Sequence, residues 1–402
     1  MPKTIYLDNA ATTKLKPEVL DAMMPYLTEM YGNPSSIHSF GAGCSTVCES
    51  ARKTIAGLIN AKDNEIYFTS GGSESDNWAI KSVAYMKKEK GRHIITSAVE
   101  HHAVLETCEF LQREGFEVSF VGVDDKGILK IDELKAAIRP DTILISVIYA
   151  NNEIGTIQPI KEIGEIARSK GILFHTDAVQ AFGHVPIDVE KENIDMLSAS
   201  AHKIHGPKGI GMLYIKNNVK LTPMIHGGPH ERKRRAGTSN VPGIVGFGKA
   251  AELSKTSMAE NNTKITEKRN YLIDRILSEI PYSRLNGDRD RRLPGNANIS
   301  FRYIEGESLL MMADMKGIAA STGSACASGS LDPSHVLLAI GLPHEIAHGS
   351  LRMTLSEFTT KEELDHTVEA LKEVVSKLRA MSPLYEDAMK KKEERECSTA
   401  QR

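Results

Sequence analysis

The chain has 402 residues, a formal net charge of −2 and 25% charged residues. That length exceeds one ordinary core and fits two unequal domains, while the balanced charge excludes the basic surplus of a nucleic-acid-binding surface. No run approaches the ~18 uncharged apolar residues of a membrane span, and Met1-Pro2-Lys3-Thr4-Ile5 opens without the apolar stretch of a signal peptide, so a cytoplasmic protein with no membrane partner is expected.

From the N-terminus onward, short apolar bursts alternate with longer amphipathic stretches. Residues 66–70, 93–97, 118–121, 143–149, 173–177, 196–199 and 211–215 read as strands. Residues 73–88, 102–114, 131–137, 160–170 and 243–267 read as helices. This alternation predicts an α/β fold with a mostly parallel seven-stranded sheet. Several strands end in small or polar residues just before a helix, where such sheets hold ligands. The pattern changes after residue 256. A charged helical stretch over 257–278 leads to a strand at 296–301, helices at 306–315 and 333–340, a strand at 350–355 and a last helix at 360–380. We read residues 15–256 as a large domain and residues 1–14 with 257–385 as a smaller α/β domain. The charged, apolar-poor residues 386–402 read as a disordered tail.

Five cysteines are too few and too scattered for a disulfide framework. Cys44 and Cys48, four apart on one helix face, read as core-facing rather than as a weak metal pair. Cys108 reads as a small buried hydrophobe and Cys397 as incidental, and no metal site is expected. Cys326 differs. It sits in Gly323-Ser324-Ala325-Cys326-Ala327-Ser328-Gly329-Ser330, whose small residues read as a mobile loop carrying a nucleophile. A buried helix-cap cysteine is the bland alternative.

Polar groups gather at strand ends. Thr69-Ser70-Gly71-Gly72-Ser73-Glu74-Ser75 joins a strand to a helix, and free N–H groups at a helix start suit a phosphate; a ligand-free helix cap is the alternative. Asp177 closes a strand in His175-Thr176-Asp177-Ala178-Val179-Gln180. Its carboxylate can pair with a protonated ring nitrogen or cap a helix, and Gln180 can reach a ring hydroxyl. In Ser198-Ala199-Ser200-Ala201-His202-Lys203, Ser200 and His202 can bond a phosphate and Lys203 can hold an aldehyde as a Schiff base. Most lysines are solvated charges, but this one lies among small residues ahead of Gly206-Pro207-Lys208-Gly209; Lys208 is a rival by residue type. His101, in Glu100-His101-His102-Ala103, can stack on a ring and move protons. An anion clamp, a ring-nitrogen partner and an imine lysine together fit pyridoxal 5′-phosphate.

With these residues the sequence resembles the class V aminotransferase group, specifically the cysteine desulfurases of the NifS/IscS type. The resemblance runs from Tyr6-Leu7-Asp8-Asn9-Ala10-Ala11-Thr12-Thr13 to about residue 380. It takes in Asn33-Pro34-Ser35-Ser36-Ile37-His38, Asn151-Asn152-Glu153-Ile154-Gly155 and Gly323-Ser324-Ala325-Cys326. It implies the fold type I of pyridoxal-phosphate transferases and a homodimer with active sites near the subunit interface. It also implies Lys203 as the Schiff-base lysine, Asp177 on the pyridine nitrogen, Gln180 on the ring oxygen and His101 over the ring. Ser73, Ser200 and His202, with the Gly72 turn, become phosphate contacts. Thr238, in Arg235-Ala236-Gly237-Thr238-Ser239-Asn240, becomes a phosphate contact lent by the other subunit. Asn152 and Arg352, with Asn33 assisting, become the clamp for the substrate carboxylate. Cys326 becomes the persulfide-forming nucleophile that takes sulfur from L-cysteine, leaves alanine, and passes sulfur to an iron–sulfur scaffold or another acceptor protein.

Two departures from the family pattern stand out. Ser73 replaces a usual threonine and keeps the hydroxyl. Gly227-Gly228-Pro229-His230-Glu231 replaces the common Gly-Gly-Gly-Gln-Glu, and a proline there removes a donor, which predicts altered loop geometry near the interface. The run Arg232-Lys233-Arg234-Arg235 reads as a solvated loop with a dimer or phosphate contact rather than a nucleic-acid patch. The rival function is a pyridoxal-phosphate aminotransferase or another cysteine or selenocysteine lyase. It would keep Lys203, Asp177 and Arg352 but give Cys326 no duty. A non-catalytic scaffold would not need this polar set.

Overall fold

Seven strands form the large sheet in the spatial order Ile66–Thr69, Gly211–Ile215, Met196–Ser200, Leu173–Asp177, Thr142–Ser146, His93–Ser97 and Glu117–Val121. The computed structural model describes residues 4–322 and 333–400, with side chains as far as residue 391. All neighbours in the sheet are parallel except Gly211–Ile215, which runs antiparallel to both of its own. Its central strands are buried along their whole length, as expected of strands covered on both faces. Helices Gly72–Lys87 and His102–Arg113 cover one face through Trp78, Ile80, Val83, Cys108 and Leu111. Helices Ser39–Ala56 and Ile160–Ser169 cover the other, with Cys44, Cys48, Ile55, Ile163 and Phe247 in the core. Cys44, Cys48 and Cys108 are therefore core side chains, as read from the sequence.

A second core lies on a three-stranded antiparallel sheet in the order Ser350–Thr354, Asn296–Phe301 and Ser283–Leu285. Helices Gly306–Met315 and Lys361–Ala380 pack on it through Leu309, Leu364, Leu371 and Val375. Ile5 and Leu7 join that core; Ile5–Tyr6 pairs in parallel with Ile318–Ala319, and Asp8 bridges to Thr354. The N-terminal residues thus pack beside the smaller unit, then run on toward the large one.

Three elements differ from expectation. The two helical stretches expected around residues 243–278 are one 39-residue helix, Val241–Glu279. No proline or glycine interrupts it beyond Gly248, so the change of surroundings near residue 256 does not break the backbone. Helices His335–Ala339 and His344–His348 pack through Val336, Leu337 and Ala347 on Val99, Ile148 and Ile154 of the large unit, inside the stretch expected to be small-domain. The charged tail is helical over Pro383–Ala400. Lysine and glutamate are good helix formers, Lys390 pairs with Glu386 at 2.7 Å, and Tyr385 packs its ring on Tyr303 at 5.7 Å. Among the described residues, no helix is long and apolar enough to cross a membrane and no group of His, Cys, Asp and Glu suits a metal.

Candidate active site

Glycines bring the start of helix Gly72–Lys87 against the strand ends. A Cβ on Gly72 would lie 2.5 Å from Val179 Cγ2, and one on Gly211 2.6 Å from Gly71 Cα. Only glycine permits this approach, and it sets the helix start beside the residues that follow Asp177. The helix start lines a cleft of about 370 Å³ together with Thr12, Ser73, Ser200, His202 and Lys208. Helix N–H groups without intrahelical partners, two serine hydroxyls and a lysine ammonium are the donor set of an anion site. Burial, with Lys203 and Lys208 nearby, holds the His202 imidazole down at about 4, so it is neutral at neutral pH. Its Nδ1 lies 3.2 Å from Thr12 Oγ1.

Asp177 ends its strand 4% exposed, with Oδ1 accepting from Val179 N at 2.9 Å. Burial pushes its carboxyl above the ordinary range, while His101 and Lys203 pull it back. A buried acid in that balance suits a cation supplied by a ligand, as a protonated ring nitrogen would be. His101 caps helix His102–Arg113, its Nδ1 accepting from Ala103 N at 3.1 Å. In the neutral ring this leaves the proton on Nε2. Burial lowers the His101 imidazole; Asp177 opposes that shift and Lys203 adds to it. Lys203 closes the short turn Ala201–Lys203, and its Nζ donates to Ala10 O at 2.5 Å and Ala11 O at 2.8 Å. Gln180 Nε2 donates to the same Ala10 O at 2.9 Å. The N-terminal segment therefore gathers Lys203 and Gln180 at one point.

Arg352, on strand Ser350–Thr354, is 4% exposed. Its Nη2 donates to Asp8 Oδ1 at 2.9 Å and its Nη1 to Asn152 O at 3.1 Å, while Nε is buried with no hydrogen-bond partner. An unsatisfied N–H on a buried guanidinium is costly, by about 1–3 kcal/mol or more, and a carboxylate is the acceptor its planar fork fits. Asn152 and Arg352 are thus brought together as expected. Asn33 is not: it is exposed, its Oδ1 accepts from Ser35 N at 2.9 Å, and none of the described contacts links it to Arg352. Thr238 lines, with Arg235, an adjoining hollow that shares Ser70 and Gly209 with the cleft. Cys326 lies outside the described residues.

The loop that departs from the family pattern is tied down hard. Glu231 accepts from Arg52 Nη1 and Nη2 at 2.7 and 2.9 Å and from Phe68 N at 2.9 Å. Glu231, Arg232 and Lys233 hold φ of 41°, 55° and 66°, a left-handed run without glycine that such anchors must support. Arg232 and Arg234 both lie 5.0 Å from the Tyr67 ring, and Arg235 pairs with Glu74 at 2.9 Å. The three arginines of the basic run are engaged within the chain.

Several site residues have no role in the sequence reading. Asp8, Ala10 and Ala11 stand in the Tyr6–Thr13 motif, whose two alanines after Asp8-Asn9 signal close packing but not which carbonyls accept. Behind Asp177, Asp76 is 1% exposed with Oδ1 lacking a hydrogen bond, 3.6 Å from His175 Nε2. His175 joins Ser146 Oγ at 2.9 Å and Ser198 Oγ at 3.0 Å, and burial holds it down at about 3. Burial, reinforced by Asp177, pushes Asp76 well above the usual carboxyl range. No local pattern separates Asp76 from a solvated helix residue.

The aminotransferase class-V family profile matches residues 5–367. A cysteine desulfurase IscS of Clostridium botulinum is 57% identical over 397 residues, covering 98% of this chain and all of that protein. One of Methanosarcina thermophila is 58% identical over 382 residues, covering 95% and 94%. Among solved structures, a NifS-like protein superposes with a TM-score of 0.88 at 38% identity, covering 93% of this chain and 100% of the other. SspA in complex with cysteine superposes with a TM-score of 0.80 at 38% identity, covering 89% and 100%. With matches that span nearly the whole chain, the chain belongs to the aminotransferase class-V family and, within it, to the cysteine desulfurases of the NifS/IscS type.

Proposed function

We propose that the chain binds pyridoxal 5′-phosphate and converts L-cysteine and an acceptor thiol to L-alanine and a persulfide, with Cys326 as the first acceptor. The observation that carries this reading is the convergence of the Lys203 ammonium, the buried Asp177 carboxyl and the anion cleft at one end of the sheet. The cysteine bound in SspA supports the choice of substrate. When bound, pyridoxal phosphate supplies an aldehyde for amines and an electron-poor ring that stabilises negative charge beside it.

Lys203 would hold the aldehyde carbon and, once displaced by the substrate amine, would take the α-proton on Nζ. Asp177 would keep a proton on the ring nitrogen, Gln180 would meet the ring oxygen and His101 the ring itself. Gly72, Ser73, Ser200 and His202 would hold the phosphate. Arg352 and Asn152 fix the substrate carboxylate and orient its sulfur. The Cys326 thiolate attacks that sulfur: the substrate C–S bond breaks with its electron pair left on Cβ, an S–S bond forms on Cys326, Cβ gains a proton, and Lys203 returns a proton to Cα to complete alanine.

The working unit in this reading is a homodimer. Exposed apolar side chains concentrate between Leu20 and Phe40, with Tyr31 73% and Ile37 fully exposed. Thr238 lines the hollow beside its own chain's cleft rather than the cleft itself, which suits a contact lent to a partner. Separate cores support a division near residue 256, with the N-terminal residues beside the smaller unit, although helices His335–Ala339 and His344–His348 pack on the large one. The unpaired thiols of Cys44, Cys48 and Cys108 suit a reducing cytoplasm, and an iron–sulfur scaffold protein is the acceptor we infer.

Incubation with L-cysteine tests the reaction. Alanine release with one sulfur atom gained on Cys326, seen by peptide mass spectrometry, is the expected result. A Cys326→Ala variant should keep the cofactor absorbance and lose sulfur transfer. Full sulfide production by that variant would overturn the assignment in favour of a lyase without a cysteine nucleophile.

A further inference from the structure

The segment that carries Cys326, residues 323–332, begins and ends beside residues fastened to the Asn152–Arg352 pair. On its N-terminal side, Ser321 N donates to Arg352 O at 3.1 Å and Arg352 N donates to Ser321 O at 2.6 Å. On its C-terminal side, Ser334 Oγ donates to Glu153 Oε2 at 2.5 Å and accepts from Val336 N and Leu337 N as a helix cap. Glu153 is the residue after Asn152, whose carbonyl accepts from Arg352.

Glu153 is itself held on every side. Its N donates to Asn151 Oδ1 at 2.9 Å, and its carbonyl accepts from Asn296 Nδ2 at 3.0 Å and Asn298 Nδ2 at 3.1 Å. Its side chain is 4% exposed, and no lysine or arginine pairs with it among the described residues. Burial raises its carboxyl to about 7 against the opposing pull of Ser334 and Arg352. Packing alone would favour an apolar side chain here, since a buried carboxyl without a cation is destabilising. What the carboxyl adds is a directed acceptor for Ser334.

We propose that Glu153 is a positioning residue for sulfur transfer: through Ser334 it ties the C-terminal root of the Cys326 segment to the Asn152–Arg352 clamp, as Ser321 ties the N-terminal root through the Arg352 backbone. The substrate clamp and both roots of the Cys326 segment then share one anchor. Reacting atoms must meet within ~3–3.5 Å, and a misplacement of about 1 Å costs on the order of 100-fold in rate. The inference rests on Cys326 as sulfur acceptor and Arg352 as clamp.

The test uses the holoenzyme and rapid mixing with L-cysteine. The cofactor absorbance change reports amine exchange, while quenched samples report alanine and sulfur on Cys326. Glu153→Ala should leave the absorbance change within about twofold and slow alanine formation about 10–100-fold. Ser334→Ala should do the same, and the double variant should be no slower than either single. Glu153→Gln, whose amide oxygen still accepts from Ser334, should recover most of the rate. Equal slowing of both phases, unchanged alanine formation, or no recovery with glutamine would overturn the proposal. A Cys326→Ala enzyme that still forms alanine at full rate would instead overturn the reading beneath it, so the two failures are distinct.

Discussion

Replacing Glu100 with glutamine probes the buried acids beneath the site. Glu100 is 1% exposed; Oε1 accepts from Ser97 Oγ at 2.5 Å and Ile148 N at 2.8 Å, while Oε2 has no partner. Burial outweighs those hydrogen bonds, Asp177 pushes the same way, and the carboxyl is raised to about 8. An unfolded glutamate titrates near 4.3. The folded state therefore binds the proton more tightly, and its stabilising contribution is complete below about 4.3 and lost as pH rises through about 8. At about 1.36 kcal/mol per unit, the gap bounds the effect at about 5 kcal/mol. Glutamine stays neutral at every pH and keeps the Oε1 acceptor, so it mimics the protonated acid. Urea unfolding of both proteins at about pH 5, 7 and 9 should show the wild type losing stability relative to Glu100→Gln by several kcal/mol, with the variant the more stable at alkaline pH. Profiles parallel within about 0.5 kcal/mol would refute the claim that Glu100 is protonated in the native fold at neutral pH.

Arg352→Lys loses the planar fork that meets Asp8 and Asn152; the KM for L-cysteine should rise about 10–100-fold, and an unchanged KM in steady-state assays would count against the clamp. Arg52→Ala strands the Glu231 carboxylate, whose side chain is 8% exposed. Urea unfolding should register a loss of about 3–5 kcal/mol. Gly72→Ala drives a Cβ into Val179 and shifts the helix start. Spectral titration of the apoprotein with pyridoxal phosphate should show affinity weakened by about 1–3 kcal/mol, roughly 5–150-fold.

Buried strands were the most legible part of the fold. The sequence bounds of His93–Ser97, Leu173–Asp177, Gly211–Ile215 and Asn296–Phe301 match the structure: the first three carry apolar stretches bounded by polar or turn residues, and the last alternates polar and apolar side chains at the strand period of two. Helices Pro17–Thr28 and Ser39–Ala56 gave no comparable signal. The first leaves Leu20, Met24 and Leu27 exposed, so its two faces differ little in polarity, and the second is rich in serine, glycine, threonine and cysteine. In the site, Lys203, Asp177, Gln180 and His101 could be read because polar groups at strand ends are unusual. Ala10 and Ala11 act through carbonyls, which every residue has. Asp76 and Glu153 look like ordinary surface acids until the fold buries them.

The long helix has a consequence of its own. Val241, Ile244, Phe247 and Ala251 are set in one core, and Ile265, Leu272, Ile273 and Ile276 in the other. One residue added between those two sets would swing the far end by about 100° and advance it by about 1.5 Å, unseating every side chain of one set at once. No insertion restores both angle and distance, since a whole number of turns recovers the facing only by lengthening the rod. The stretch joining the cores therefore behaves as a gauge: its chemistry is free to drift where water covers it, while its residue count is locked.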